Sequence, residues 1–329
     1  MFRMTCSVEF EGLKPIKATS LKWKRHIDNY SDSATIEIPA ICRYKDGTNV
    51  YSNVVTGQKL KEGQKVKIRA GYDGKNDLQF DGFIKRINSS TPLEIECEGY
   101  SYQLRNKTIN KSYGRTTVKR VLEELVVGTN IIISNKLVGD ITFEPQQFKN
   151  AQRTQVLDWL KEKYFLKVFF LYNELHVGFG LLFKGNVVKH VLNWNVIKDN
   201  DLLFNAQKEA TVNIEGVTRL ADGTLIRTAS NNARTSGEKK EVKMILQNAA
   251  DKQKAVNALQ GKQDKKGYVG AITGFLKPFV QIGDTTQITD NKFKERAAQH
   301  VVDGIEGSFS SAGGRQKIHI DFSTGKING

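Results

Sequence analysis

Several stretches of the chain alternate apolar and polar residues with a period of two, the pattern of a strand that buries one face. Ala34, Ile36 and Ile38 fall on one side of such a segment. Val66, Ile68 and Ala70 do the same while Lys65, Lys67 and Arg69 point the other way, and Leu93, Ile95 and Cys97 alternate with Glu94, Glu96 and Glu98. A basic row and an acidic row result; on neighbouring strands they would form solvent-side ion pairs worth a few tenths of a kcal/mol each. Between them, Leu78 to Ile87 reads as a further strand, with Gly82 where a bulge or a close backbone approach fits. Short strands separated by Gly, Asn and Asp turns predict a small antiparallel β-barrel domain over residues 1–100.

The pattern changes after residue 100. Val118, Val121, Leu122, Leu125 and Val126 repeat at helical spacing behind Thr116 and Thr117, either of which can cap the helix. A second helix is predicted from about Thr154 to Tyr164, burying Val156, Leu157 and Leu160, followed by strands at Leu166–Leu171 and Glu174–Val177. Residues 101–195 therefore read as an α/β middle domain inserted in a mainly β chain. Strand patterns return at Ala210, Val212 and Ile214, at Val242, Met244 and Leu246, and at Ile318, Ile320 and Phe322, which predicts a second small antiparallel β-barrel domain over 196–329. A helix from Ala249 to about Gln260, capped by Asn248, interrupts it. Residues 229–240 lack apolar periodicity and read as an exposed loop.

Composition refines this picture. At 329 residues the chain can bury roughly three quarters of its unfolded surface. Hydrophobic residues at 39% and charged residues at 26% match an ordinary globular balance. The start of the chain lacks a secretory apolar region, and no apolar run approaches membrane-spanning length, so no membrane anchoring is expected. Cys6, Cys42 and Cys97 are odd in number and far apart, which suits reduced thiols in a cytoplasm rather than a disulfide framework.

A net charge of +15 calls for an acidic partner, a nucleic acid or an anionic surface. The sharpest local excess is Arg105, Lys107, Lys111, Arg115, Lys119 and Arg120, a stretch without a single acid. These six are the candidate contacts for an anionic partner, an acidic subunit or passing DNA. Tyr100, Tyr102 and Tyr113 lie in the same stretch, as a base-stacking groove in a nucleic-acid-binding barrel would require.

Catalytic signatures are sparse. The chain has no phosphate-binding P-loop, no H-E-x-x-H helix, no G-x-S-x-G elbow and no C-x-x-C pair. The five histidines are scattered, and His176 and His319 read as strand residues. A tail-associated cell-wall or polysaccharide hydrolase would need two facing carboxylates. Glu123 and Glu124 are adjacent on a helix, the Glu94–Glu98 row reads as an outer face, and Asp73, Asp77 and Asp81 lack the remaining ligands of a calcium loop. No catalytic, cofactor or metal site is expected.

The order of short motifs carries more. Gly63-Gln64-Lys65-Val66-Lys67-Ile68-Arg69-Ala70-Gly71-Tyr72, then Phe80-Asp81-Gly82-Phe83-Ile84, then Leu93, Ile95 and Cys97-Glu98-Gly99-Tyr100 with Leu104 shortly after form a first block, and the Thr116-Thr117 helix and the Thr154 helix with its strand pair a second. The third runs from Gly267-Tyr268-Val269-Gly270 through Thr273-Gly274-Phe275, Pro278, Gly283-Asp284 and Ile288-Thr289-Asp290 to Gly313-Gly314-Arg315-Gln316-Lys317-Ile318. Together they resemble the late control protein D family of phage tail baseplate hubs, relatives of the VgrG amino-terminal region. Thr286, where a larger apolar residue would be expected, departs from that pattern.

The resemblance implies a virion structural protein without enzymatic activity. Its implied form is a ring-shaped homotrimer whose two similar barrels per subunit imitate sixfold symmetry and join a sixfold tail tube or baseplate protein to a threefold central spike. It further implies assembly in the bacterial cytoplasm, a mature place in a virion tail or contractile injection baseplate, and a separate spike protein. Gly82, Gly270 and Gly283 are the positions where backbone geometry is expected to demand glycine.

Overall fold

The alternating segments become strands β1 (Met4–Phe10), β2 (Ser20–His26), β3 (Asn29–Ile38), β4 (Lys65–Tyr72), β5 (Lys75–Asn88) and β6 (Leu93–Glu98). Further along the chain come β7 (Val187–Val191), β8 (Val196–Lys198), β9 (Gly267–Gly274), β10 (Thr285–Thr289), β11 (Ala298–Ser310) and β12 (Gly313–Lys326). The computed structural model describes residues 3–45, 51–135, 141–179, 185–205, 212–220, 222–233, 238–246, 248–263 and 267–326. The chain divides into two units, Met1–Tyr102 with Gly185–Asp201 and Gly270–Gly329, and Gln103–Lys184 with Leu202–Val269.

In the first unit one sheet runs in the order β1-β4-β5-β6-β3-β2-β11-β12-β9-β8, with β10 on β11 and β7 on β10. β7 and β10 are parallel, whereas the pairs along the main path are antiparallel. Period-two burial makes the sheet one-sided: Leu21, Trp23, Ile36, Ile68, Ile95 and Phe309 share a continuous apolar core. Lys22 and Lys24, between Leu21, Trp23 and Arg25 on β2, stay exposed.

This topology corrects the expectation of two small antiparallel β-barrels. β2 bonds to β3 on one side and to the first-in-line edge of β11 on the other, so strands from both ends of the chain continue one sheet. The path ends at β1 and β8 without closing. A barrel removes its edges by pairing first strand with last; here β2 finds its second partner about 280 residues downstream.

The paired charge rows are also corrected. β5 lies between β4 and β6, so the basic and acidic rows do not meet. Arg69 pairs with Glu9 at 3.2 Å, Lys65 lies 3.9 Å from Asp81, and Glu96 takes Arg86. Glu98 is buried rather than outward-facing, and its Oε1 accepts from Ser101 Oγ at 2.7 Å.

The second unit is α/β. Helix α1 (Val118–Leu125) is capped by Thr117, whose Oγ1 accepts from the Arg120 amide at 3.3 Å, and buries Val118, Val121, Leu122 and Leu125. Helix α2 (Arg153–Tyr164) buries Val156, Leu157 and Leu160, and is followed by the antiparallel strands Lys167–Leu171 and Glu174–Gly178. Helix α3 (Ala249–Gln263) starts at Asn248, whose Oδ1 accepts from the amides of Ala250 at 2.8 Å and Asp251 at 3.2 Å. It packs on a separate three-stranded sheet ordered Leu225–Ala229, Val212–Arg219, Glu238–Lys243, with Gln260 Oε1 accepting from the Ile214 amide at 2.7 Å. The predicted loop over 229–240 is therefore shorter, since Ala229 and Glu238–Lys240 are paired in strands. Ala210 lies outside the described residues.

Candidate assembly surface

The polar groups that could have served catalysis are engaged elsewhere. His176 stacks on Phe169 with ring centroids 4.9 Å apart and lies 3.7 Å from Glu174. His190 Nδ1 is hydrogen-bonded to Thr286 Oγ1 at 2.7 Å, and His300 Nδ1 donates to the Asp321 carbonyl at 3.0 Å. His319 sits 3.3 Å from Glu306. Asp77 pairs with Lys277, Asp81 lies near Lys65, and Asp73 Oδ1 accepts from the Arg3 amide at 2.8 Å. Among the described residues no three His, Cys, Asp or Glu side chains converge as metal ligands. Cys6, Cys42 and Cys97 are free thiols, and burial pushes the Cys97 pKa far up. Among the described residues no helix is long and apolar enough to cross a membrane.

The three glycines singled out occupy different environments. Gly283 (φ 84°) turns the chain into β10, donating to the Val302 carbonyl at 2.8 Å and accepting from the Gly185 amide at 3.0 Å. Gly270 also has positive φ, 120°. Gly82 stands in register opposite Val66, while the irregularities of β5 fall at Gln79, opposite Ile68 and Arg69 of β4, and between Ile84 and Arg86. What Gly82 provides is clearance: a Cβ there would collide with the Glu98 carbonyl oxygen and the Phe80 ring.

Three of the six cations of the basic stretch have partners within their own unit. Lys107 donates to the Gly128 carbonyl, Lys111 pairs with Glu124 at 2.6 Å, and Arg115 lies 4.0 Å from Glu144. The hydrogen bond from Lys111 holds the Glu124 carboxyl below its usual pKa. Arg105 is half-buried; Lys119 and Arg120 are exposed on α1. The tyrosines are packing groups: Tyr100 and Tyr102 lie against Phe83 with centroids 5.3 and 5.7 Å away, and buried Tyr113 packs on Phe143 and Phe148.

The sequence reading missed an aromatic cleft in the first unit. Between β7 and β8 the chain reverses through Asn193 (φ 64°), with the amides of Trp194 and Asn195 donating to the Val191 carbonyl at 3.1 and 3.2 Å. Asn195 fastens the turn further: its Oδ1 accepts from the Val191 amide at 2.7 Å and its Nδ2 donates to the Lys189 carbonyl at 3.2 Å. The result is an indole 82% exposed on an ordered backbone. Trp194 lines a cleft of roughly 850 Å³ with Met4, Tyr72, Phe275 and Arg315, the Arg315 guanidinium lying 5.1 Å from the Phe275 ring centroid. Tyr72 closes its floor, donating to the Gly314 carbonyl at 3.3 Å and accepting from the Leu276 amide at 3.4 Å. The signal was present as a tryptophan between two asparagines and between two short apolar runs, a turn composition in which a large apolar residue has no core to enter.

No protein-family model and no curated protein matches the chain by sequence. Solved structures do match it. The 43 kDa tail protein of prophage MuSo2 from Shewanella oneidensis is 13% identical with a TM-score of 0.64, over 96% of this chain and 97% of that one. The tail protein from Neisseria meningitidis MC58 is 13% identical with a TM-score of 0.65, over 97% and 96%. An Escherichia coli component of the type VI secretion system, itself structurally similar to the T4 bacteriophage tail proteins gp27 and gp5, is 10% identical with a TM-score of 0.58, over 96% of this chain and 77% of that one. At such identities the likeness is one of fold, and in fold this chain is similar to phage tail proteins and to VgrG-like and gp27-gp5-like injection proteins.

Proposed function

We propose that this protein is a non-enzymatic structural hub subunit of a phage tail or a related contractile injection machine. The observation that carries the reading is coverage: the likeness to tail proteins extends over 96–97% of the chain and an equal share of its matches, so no additional catalytic domain has to be accounted for within the matched length. The mechanism is geometric. Three copies close a ring, and each contributes the strands β1–β6 and β8–β12 as two β-built halves of one sheet, giving six related stations toward a sixfold tube and three toward a central spike.

A ring of this kind is heterologous and needs two different patches on every subunit, with interfaces of about 2,000 Å² or more if they are permanent. The end strands β1 and β8 favour such pairing where the bridges from Val8 to Ile16 and from Val196 to Leu192 leave their edges uncovered, since an uncovered edge is an aggregation hazard. The cleft around Trp194 also supports it, because aromatic side chains on ordered backbone are frequent anchors of assembly. Partners are two further copies, a tube or baseplate protein and a spike; assembly takes place in the bacterial cytoplasm and the mature location is the tail or baseplate.

The test is solution mass by light scattering, alone and with the spike protein, combined with negative-stain imaging. A particle of three times 37.0 kDa that appears as a ring supports the reading. A monomer under both conditions, or robust turnover in a cell-wall clearing assay, overturns it.

A further inference from the structure

The outer face of the first unit's sheet carries a ladder of cations that the sequence does not reveal, because its members come from strands far apart in the chain. Registers place Thr35, Lys22, Ser308 and Arg315 side by side across β3, β2, β11 and β12. A second row runs Ser33, Lys24, Glu306, Lys317, Thr273 and Lys198 across β3, β2, β11, β12, β9 and β8. Residues opposite one another in a ladder share a face. These same side chains line a shallow groove of roughly 490 Å³.

Charge is unevenly compensated along the groove. Five cations, Lys22, Lys24, Lys198, Arg315 and Lys317, face two carboxylates. Glu306 takes Lys24 at 2.7 Å and Asp201 takes Lys317 at 2.6 Å. Lys22, Lys198 and Arg315 form no salt bridge among the described residues. The cations recur on every second strand, β2, β12 and β8, which spaces the columns about 10 Å apart. The strands between them carry Ser308 and Glu306 on β11 and Thr273 on β9.

We propose that this groove docks the phosphate backbone of a nucleic acid without reading its sequence. Lysine, arginine and hydroxyl side chains are the groups that contact phosphate oxygens. An acidic protein segment is the less fitting occupant, because protein interfaces gain most of their energy from buried aromatic or apolar anchors: Trp23 is buried beneath the groove, and the exposed Trp194 and Phe275 belong to the adjoining cleft, which shares Arg315 with the groove. The inference is independent of the hub reading, since a hub that binds no nucleic acid would leave that reading intact.

The experiment is fluorescence anisotropy of a labelled 30-base-pair DNA duplex with the full chain, from 50 to 300 mM KCl. Binding should weaken with salt at a log–log slope between about −2.7 and −4.5, corresponding to three to five neutralised phosphates. The triple variant K22A/K198A/R315A should lose about 2.7 units of slope and at least tenfold in affinity at 100 mM KCl. K22R/K198R should bind like the parent. K119A/R120A, in the basic stretch of the second unit, should leave the slope unchanged. Circular dichroism checks that each variant is folded. The proposal is overturned if the parent does not bind duplex at 50 mM KCl, if the triple variant binds like the parent, if K119A/R120A abolishes binding, or if polyglutamate of equal charge displaces the duplex at lower concentration than unlabelled DNA does.

Discussion

Acid should unfold the first unit partly through one histidine, and the size of the effect follows from the site. His190 on β7 is 1% exposed; its Nδ1 is satisfied by Thr286 Oγ1, and its Nε2 has no hydrogen-bond partner among the described residues. A second proton would be buried without an acceptor, so burial pushes the pKa down to about 4. The unfolded chain holds it near 6.5. A base whose folded pKa is depressed favours the neutral form, so stability is complete above the unfolded value and is lost as pH falls from about 6.5 through 4. Between pH 7 and pH 5 the loss from this group is about 2 kcal/mol, a large share of a typical folding free energy of about 5–15 kcal/mol.

The variant that isolates the effect is His190→Asn, whose amide can reach Thr286 Oγ1 but does not titrate. Urea unfolding followed by tryptophan fluorescence at pH 5, 6 and 7 reports each free energy. His300, also held below its usual pKa by burial, and Asp32, pushed up to about 6 by burial with the opposite pH dependence, are present in both proteins and drop out of the difference. The parent should lose about 2 kcal/mol more than the variant between pH 7 and pH 5. Equal losses in the two proteins would refute the reasoning, whatever the variant costs at pH 7.

The buried pair of Arg25 and Asp32, 2.8 Å apart, predicts that Arg25→Met costs about 3–5 kcal/mol at pH 8 and much less at pH 5, where the stranded carboxyl takes up a proton; a cost independent of pH in urea titrations contradicts this. Gly82→Ala should lower stability by about 1–3 kcal/mol through the clash with the Glu98 carbonyl and the Phe80 ring, and a change below about 0.5 kcal/mol would show that the sheet yields there. Trp194→Ala should leave the unfolding free energy within about 0.5 kcal/mol of the parent, because the indole packs on little of its own unit; a larger drop would mean it belongs to the core.

Local features were legible without coordinates. Asn248 caps its helix as the sequence indicated, Thr117 proved to be the cap of the two threonines offered, and the alternation at Val66, Ile68 and Ala70 marked the buried face of β4. These depend on neighbours within a few residues, and so does periodicity. The resemblance of motif order to tail hubs pointed to the same fold that the solved structures share. Strand partnership was not legible, because every strand edge offers the same row of amides and carbonyls. Only the folded chain decides that β2 takes β11 rather than closing a barrel, that β5 separates the Lys65 and Glu94 rows, and that Glu98 turns inward to Ser101. The cation groove belongs to the same class, made by register across residues distant in sequence, and so does the cleft that Trp194 shares with Met4, Tyr72, Phe275 and Arg315, although the turn that exposes the indole is local.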